Sequence, residues 1–225
     1  MTQAPIRDAA TLILLRDRDS APAVLMGQRG QSAAFMPGKF VFPGGAVDPN
    51  DGQVPMTPLP EPDAARLAQD SRLPATSIAA AAIRELWEET GQILGSQAAW
   101  DGAPRGWRGF AATGHIPNAA ALTFFFRAVT PQGRPRRFDA RFFLADATAL
   151  ASDPDDFTGA EDELAHLQWV PLAEARRFDL PFITQVVLAE LLRHIARGGP
   201  VESVPFFRND DEAHLVSRLD GRPVL

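Results

Sequence analysis

Cysteine is absent from the 225-residue chain. That absence excludes disulfides, thiol catalysis and cysteine-ligated metals. No apolar run approaches the roughly 20 residues a membrane helix needs. Positive charge is also scarce: 22 Lys and Arg stand against 28 Asp and Glu, a net charge of −6. With no basic stripe visible, a nucleic-acid backbone is excluded as the main partner. The four histidines, His115, His166, His194 and His214, are scattered without ligand spacing, and His115 reads as a loop residue. No internal repeat occurs. Residues 1–20 carry Arg and Asp on both sides of a short apolar run, unlike a secretory signal. The final Pro223-Val224-Leu225 is not the peroxisomal tripeptide, so cytoplasm is the expected compartment. What the chain does have is 45% hydrophobic content, enough for one substantial core. One domain over 1–225, carrying an insertion, is the expected organisation.

The most informative stretch is Arg84-Glu85-Leu86-Trp87-Glu88-Glu89-Thr90-Gly91. At about 100° per residue, Glu85, Glu88 and Glu89 share roughly one third of a helix circumference. Residues three and four apart are neighbours, so the carboxylates crowd one another. A cation among them is the natural remedy, and Mg²⁺ takes oxygen ligands while keeping waters and substrate phosphates as its others. Ala80, Ile83, Trp87 and Thr90 form an apolar stripe on the other face. The run Ala79 to Ala82 favours helix, and Gly91 suits a left-handed terminus. The competing reading is a solvated acidic face on an ordinary amphipathic helix. Arg84 beside the cluster and an upstream Gly-Gly turn with aromatic and proline neighbours, Phe42-Pro43-Gly44-Gly45, argue against it.

With these residues the chain resembles a Nudix hydrolase, whose box reads G-x5-E-x7-R-E-U-x-E-E-x-G-U, with U aliphatic. Gly45 fits the opening glycine; Arg84, Glu85, Leu86, Glu88, Glu89 and Gly91 fit the second half. After Gly91 comes Gln92, then Ile93, so the closing aliphatic residue falls one place late. Gly45 and Arg84 are 39 positions apart where an unbroken box has fourteen, an excess of 25. The inserted stretch, about 49–77, is rich in proline and contains a helix-like piece, Asp63 to Asp70. The box's first Glu has no clear counterpart: counting forward from Gly45 gives Asp51, counting back from Arg84 gives Thr76.

A box interrupted in this way is similar to the long-insert Nudix proteins that include coenzyme A diphosphatases. Phe35-Met36-Pro37-Gly38, ahead of Val41-Phe42-Pro43-Gly44-Gly45, resembles that subgroup's approach to the box. Its signature L-L-T-x-R-[SA]-x3-R-x3-G-x3-F-P-G-G is met by Arg29, Gly38, Phe42, Pro43, Gly44 and Gly45, while Gly30 and Ala34 depart from it. Arg127 to Pro131 followed by Arg137 to Phe143 resembles a second signature, so the likeness runs from about Ala10 to Phe182.

The resemblance implies an α/β fold, an α-β-α sandwich around a mixed sheet with an insertion inside the box. It implies metal-dependent cleavage of a diphosphate linkage, with coenzyme A or acyl-coenzyme A favoured. ADP-ribose, NADH or another nucleotide is the alternative substrate, and a non-catalytic sensor or interaction module is a further one. Two or three Mg²⁺ or Mn²⁺ ions are expected on Glu85, Glu88, Glu89 and Gly45, with Arg84 holding the carboxylates in place. Arg29 and the backbone N–H groups of Gly44 and Gly45 are the expected substrate contacts. The general base is a box carboxylate or Glu163, which lies six residues before Trp169, with Glu161 second. Trp100, Trp107 and Phe35 either stack on an adenine or pack in a core or lid. The expected partner is a nucleotide-derived small molecule, and a homodimer is a further expectation of the likeness.

Along the chain, Ala10–Leu15, Ala23–Gln28, Lys39–Phe42, Arg137–Ala145 and Gln168–Val170 read as strands. Leu122–Val129 is strand or helix end, and Gly95–Pro117 reads as loop. Ile78–Leu94 is the box helix, and Leu172–Arg177 begins a short helix. Phe182–Arg197 is an amphipathic helix stopped by Gly198-Gly199. Val201–Leu225 shows no clear pattern.

Overall fold

A continuous apolar strand lies at the centre of the sheet. The computed structural model describes residues 4–31, 36–210 and 213–219. Strand β1 (Ile6–Arg16) buries Leu12, Ile13, Leu14 and Leu15 in succession, because both its faces are covered. It is followed by β2 (Ala23–Arg29), β3 (Phe40–Val41), β4 (Gly44–Ala46) and helix α1 (Glu61–Ala68). Next come α2 (Ala75–Thr90), β5 (Gly95–Gln97), α3 (Arg108–Ala112) and β6 (His115–Pro117). The chain continues through β7 (Thr123–Val129), β8 (Arg137–Asp146), β9 (Leu164–Pro171) and α4 (Phe182–Arg197). It closes with β10 (Pro205–Asp210) and β11 (Ala213–Arg218).

The main sheet runs β11-β10-β7-β8-β1-β2-β3, with β4 also on β1 and β9 also on β2. It is mixed: β1 pairs β8 in parallel from Ile6↔Arg137 to Leu15↔Asp146, β10 pairs β7 in parallel, and the other pairings are antiparallel. One face carries α2 over Leu12, Phe124 and Phe143. The opposite face carries α4 over Ile13, Phe125 and Phe142. This is the expected α-β-α sandwich. Among the described residues no helix is long and apolar enough to cross a membrane.

Several local readings change. The box helix stops at Thr90, not Leu94: Gly91 takes φ 74° and its N–H closes on Trp87 O, a left-handed terminus that glycine adopts without the steric cost a Cβ brings. Gly44-Gly45 is not a turn but strand, paired with Thr11 and Ala10. The helix in the insertion is shifted two residues early, to Glu61–Ala68, because Pro60 and Pro62 pre-set its first turn. The stretch read as loop holds β5, α3 and β6. Leu122–Val129 resolves as strand, and the patternless tail supplies β10 and β11. Ala34, Phe35 and the terminal Pro223-Val224-Leu225 lie outside the described residues.

Candidate functional site

Helix α2 is buried on both sides. Ala79 to Ile83 and Leu86 face the core, yet Arg84, Glu85 and Glu89 are buried too. The acidic face is therefore not a solvated one. Burial of that much charge is tolerable only with matched partners, and Arg84 is the first of them. Nε and Nη2 donate to Asp51 Oδ1 and Oδ2 at 2.9 and 3.1 Å, and Nη2 also donates to Ala46 O at 3.0 Å. Nη1 donates to Glu85 Oε1 at 2.8 Å and Glu88 Oε2 at 2.7 Å. These bonds account for all five guanidinium N–H groups. Burial alone would lower the Arg84 pKa, but the hydrogen bonds to Asp51 and the charges of Glu85, Asp51 and Glu88 raise it on balance.

Asp51, 1% exposed, anchors this arrangement. It caps the short turn at 49–53 by accepting from Asp48 N (2.7 Å), and it also accepts from Trp107 Nε1 at 2.9 Å. It therefore supplies the acidic position that lacked a clear counterpart in the sequence. The forward count from Gly45 was the signal. The backward count failed because the extra residues fall between Asp51 and α2. Trp107 and Trp100, 5.8 Å apart, pack against each other rather than presenting a free stacking face.

Strand β4 lies against the other edge of α2. Gly44 N donates to Glu89 Oε2 at 2.7 Å. A Cβ at Gly44 would stand 2.6 Å from Thr11 Oγ1, and one at Gly45 would stand 2.5 Å from the Glu85 carboxyl group. Glycine is required here by close approach, not by an unusual φ. Glu89 is 2% exposed, and its Oε1 has no hydrogen-bond partner among the described residues. Burial, then the charge of Glu85, pushes its carboxyl well above the usual range, against the Gly44 hydrogen bond. Burial, opposed by Arg84 and reinforced by Glu88, pushes Glu85 up to about 7. Burial also raises Glu88, again opposed by Arg84.

Glu163 comes in from the start of β9. The loop before it is tied to α2 by Glu161 N donating to Glu88 O at 2.8 Å. The negative charge of Glu163 adds to the rise at both Glu85 and Glu89. Its Oε1 accepts from Arg29 Nη2 at 3.0 Å, while Arg29 Nε is buried with no partner among the described residues. Arg29 ends β2, so strand pairing of β2 with β9 at Arg29↔Leu164 sets this contact. Residues 29, 44, 45, 85, 89 and 163 are thus brought together, whereas Glu88 is bonded by Arg84 and Glu161 contributes its backbone N–H.

Among the described residues no three His, Asp or Glu side chains converge into a ready cation cage. Glu85 and Glu89 still fit a hard divalent ion. Both offer carboxylate oxygens, Glu89 Oε1 is buried without a partner, and Mg²⁺ needs only one or two carboxylates beside water and phosphate.

A family model described as NUDIX domain matches residues 5–191. A candidate nudix hydrolase of Caenorhabditis elegans, its nudix hydrolase 7, is 29% identical over 177 residues, covering 73% of this chain and 51% of the relative. The chain therefore spans about half the length of that curated relative. The crystal structure of a NUDIX hydrolase from Alicyclobacillus acidocaldarius superposes with a TM-score of 0.61 at 26% identity, over 85% of this chain and 93% of that one.

Proposed function

Because the chain belongs to the NUDIX family, we propose that it hydrolyses a diphosphate linkage in a nucleotide-derived small molecule, with coenzyme A or acyl-coenzyme A as the favoured substrate. The observation that carries the chemistry is the pair Glu85 and Glu89, buried side by side against Gly44 and Gly45, with Glu89 Oε1 lacking a partner among the described residues. The support for the substrate is the sequence from Arg29 to Gly45 together with the interrupted box. A net charge of −6 also favours a compact metal-complexed anion over a nucleic acid.

A divalent ion, Mg²⁺ or Mn²⁺, supplies Lewis-acid neutralisation of the diphosphate oxygens and acidifies water. Glu85 and Glu89 would hold it, with Gly45 leaving room. Arg84 touches no substrate in this reading; it is a positioning residue that fixes Glu85 and Glu88. Glu88 Oε2 is oriented by Arg84, and Glu88 would add a further carboxylate to the ion's site. Glu163, with 56% of its side chain exposed, is the carboxylate with access to an attacking water, and we assign it the proton-accepting role. Arg29 binds a substrate phosphate through its remaining N–H groups. Such a site works by positioning and electrostatics rather than covalent catalysis.

The test is a hydrolysis screen over coenzyme A, acyl-coenzyme A, NADH, ADP-ribose and nucleoside triphosphates with Mg²⁺ and Mn²⁺. Cleavage of coenzyme A to 3′,5′-ADP is the expected result, and preference for ADP-ribose would overturn the substrate assignment. Glu89→Gln should lower turnover by about 10²-fold or more and abolish thermal stabilisation by Mn²⁺. Glu163→Gln should lower turnover by about 10²-fold yet keep that stabilisation. Undiminished turnover in Glu89→Gln would sink the site itself.

A further inference from the structure

Across the sheet from α2 lies a cavity of about 210 Å³, walled by Phe125, Glu190, Arg193, His194, Arg197 and the 201–203 segment. A water occupies about 30 Å³ in the liquid, so the space can admit a small organic molecule. His194, in the last turn of α4, is 6% exposed and sets its ring edge-on to Phe125 at 5.7 Å.

The protonation of this imidazole can be read from its neighbours. Arg18 Nη2, from the turn after β1, lies 2.7 Å from His194 Nε2. A guanidinium has no acceptor atom, so it must donate, and Nε2 must accept. The ring is then neutral, or it would present a hydrogen to Arg18, and its proton sits on Nδ1. Burial, with the charges of Arg18 and Arg197, lowers the His194 pKa against the opposing charge of Glu190, in agreement with the neutral ring. Nδ1 is buried and has no hydrogen-bond partner among the described residues. His194, one of the residues lining the cavity, therefore carries an N–H donor with nothing in the described fold to receive it, and such a group costs stability until it is met.

The surrounding charge points one way. Three guanidinium groups, of Arg18, Arg193 and Arg197, stand around the ring with one carboxylate, Glu190, which pairs with Arg193. Arg197 donates to Pro200 O at 3.3 Å, which leaves further N–H groups on its fork. An arginine in a last helical turn complements the negative end of the helix dipole, and that accounts for Arg197 taken alone. It does not account for a buried imidazole N–H facing no acceptor.

We propose that this cavity is a second binding site, for the oxyanion group of a small phosphorylated or carboxylated molecule. His194 Nδ1–H and the two arginine forks of α4 are its donors, and Phe125 and Val201 form its apolar wall. The site is separate from the Glu85–Glu89 pair and lies on the other face of the sheet.

The experiment is an imidazole ¹H–¹⁵N NMR titration of the full chain, first with inorganic phosphate and then with acetate. The signals of His194 are identified by their loss in His194→Gln. The expected starting state is the Nδ1–H tautomer. A saturable shift of the His194 signals with phosphate alone identifies a phosphate ligand, with acetate alone a carboxylate, and with both a general oxyanion site. In the Arg193→Gln/Arg197→Gln double variant the apparent Kd should rise about tenfold or more. Both arginines are exposed, so the core is left alone. The shift should persist in Glu89→Gln. An Nε2–H tautomer overturns the proposal, as does the absence of a saturable shift with either anion. A shift that survives the double variant unchanged, or one that disappears in Glu89→Gln, overturns it as well.

Discussion

Arg84 and Asp51 set the geometry of the carboxylates, and their pairing differs in kind from the surface ion pairs. Removing one partner of a buried pair typically costs about 3–5 kcal/mol, while an exposed pair is worth about 0–1 kcal/mol. Asp51→Ala removes two bonds to Arg84, one to Trp107 and one to the Asp48 N–H. Urea denaturation should show a loss of about 3–5 kcal/mol. Lys39→Ala, which breaks the exposed pair with Asp179, should change stability by less than about 1 kcal/mol. Equal effects of the two changes would contradict the anchoring role of Asp51. At this scale the box residues were legible because their spacing is a local property of one helix. Asp51 was legible only as one of two competing counts, since its partner Arg84 is 33 positions away and the inserted length hides the register between them. The inward turn of Glu88 toward Arg84 was equally hidden, because spacing defines a helix face but not a rotamer.

The insertion is held to the sheet by backbone carbonyls rather than by an apolar face alone. Arg127 on β7 donates to Gln69 O and Asp70 O, both at 2.9 Å, while pairing with Asp139. Arg66 on α1 donates to Val201 O and Glu202 O at 3.0 and 2.8 Å. Arg127→Met removes the first clamp yet leaves Asp139 paired with Arg141. Trypsin cleavage after the exposed Arg72 should become much faster, with amide exchange in α2 unchanged. Unaltered cleavage would show that the clamp does not hold the segment. Long elements such as α2 and α4 were legible because their periodicity persists over four turns. Strands β5 and β6 and helix α3 have three to five residues each, too few for a pattern to emerge from a Gly- and Pro-rich stretch. Strand β4 was read as a turn because glycine weakens a strand signal, although here it serves close packing against Thr11 and Glu85.

For the molecule as a whole, the raised carboxyls determine how stability follows pH. Glu85, Glu88 and Glu89 are all raised on folding, chiefly by burial. Groups raised in this way bind more protons folded than unfolded. Their contribution is full below the unfolded value near 4.5 and is lost as pH rises through the folded value, about 7 for Glu85. In metal-free buffer the melting temperature should therefore fall across that window. Added Mg²⁺ should restore it at the upper end, and Glu89→Gln should flatten the profile; a metal-free profile that rises instead would contradict the assignment. The sandwich itself was legible through the family likeness. The pairing of β10 with β7 was not, since it joins positions about 80 apart, Phe206 with Arg127.

The two ends of the insertion stand next to each other: a Cβ on Gly52 would lie 2.9 Å from Ser77 Oγ. Excising 53–77 would remove 25 residues, the same number by which the box is overlong. The segment is thus a detour that departs and rejoins at one junction, so its length can drift over generations, or be exchanged by an engineer, without re-aiming the carboxylates of α2.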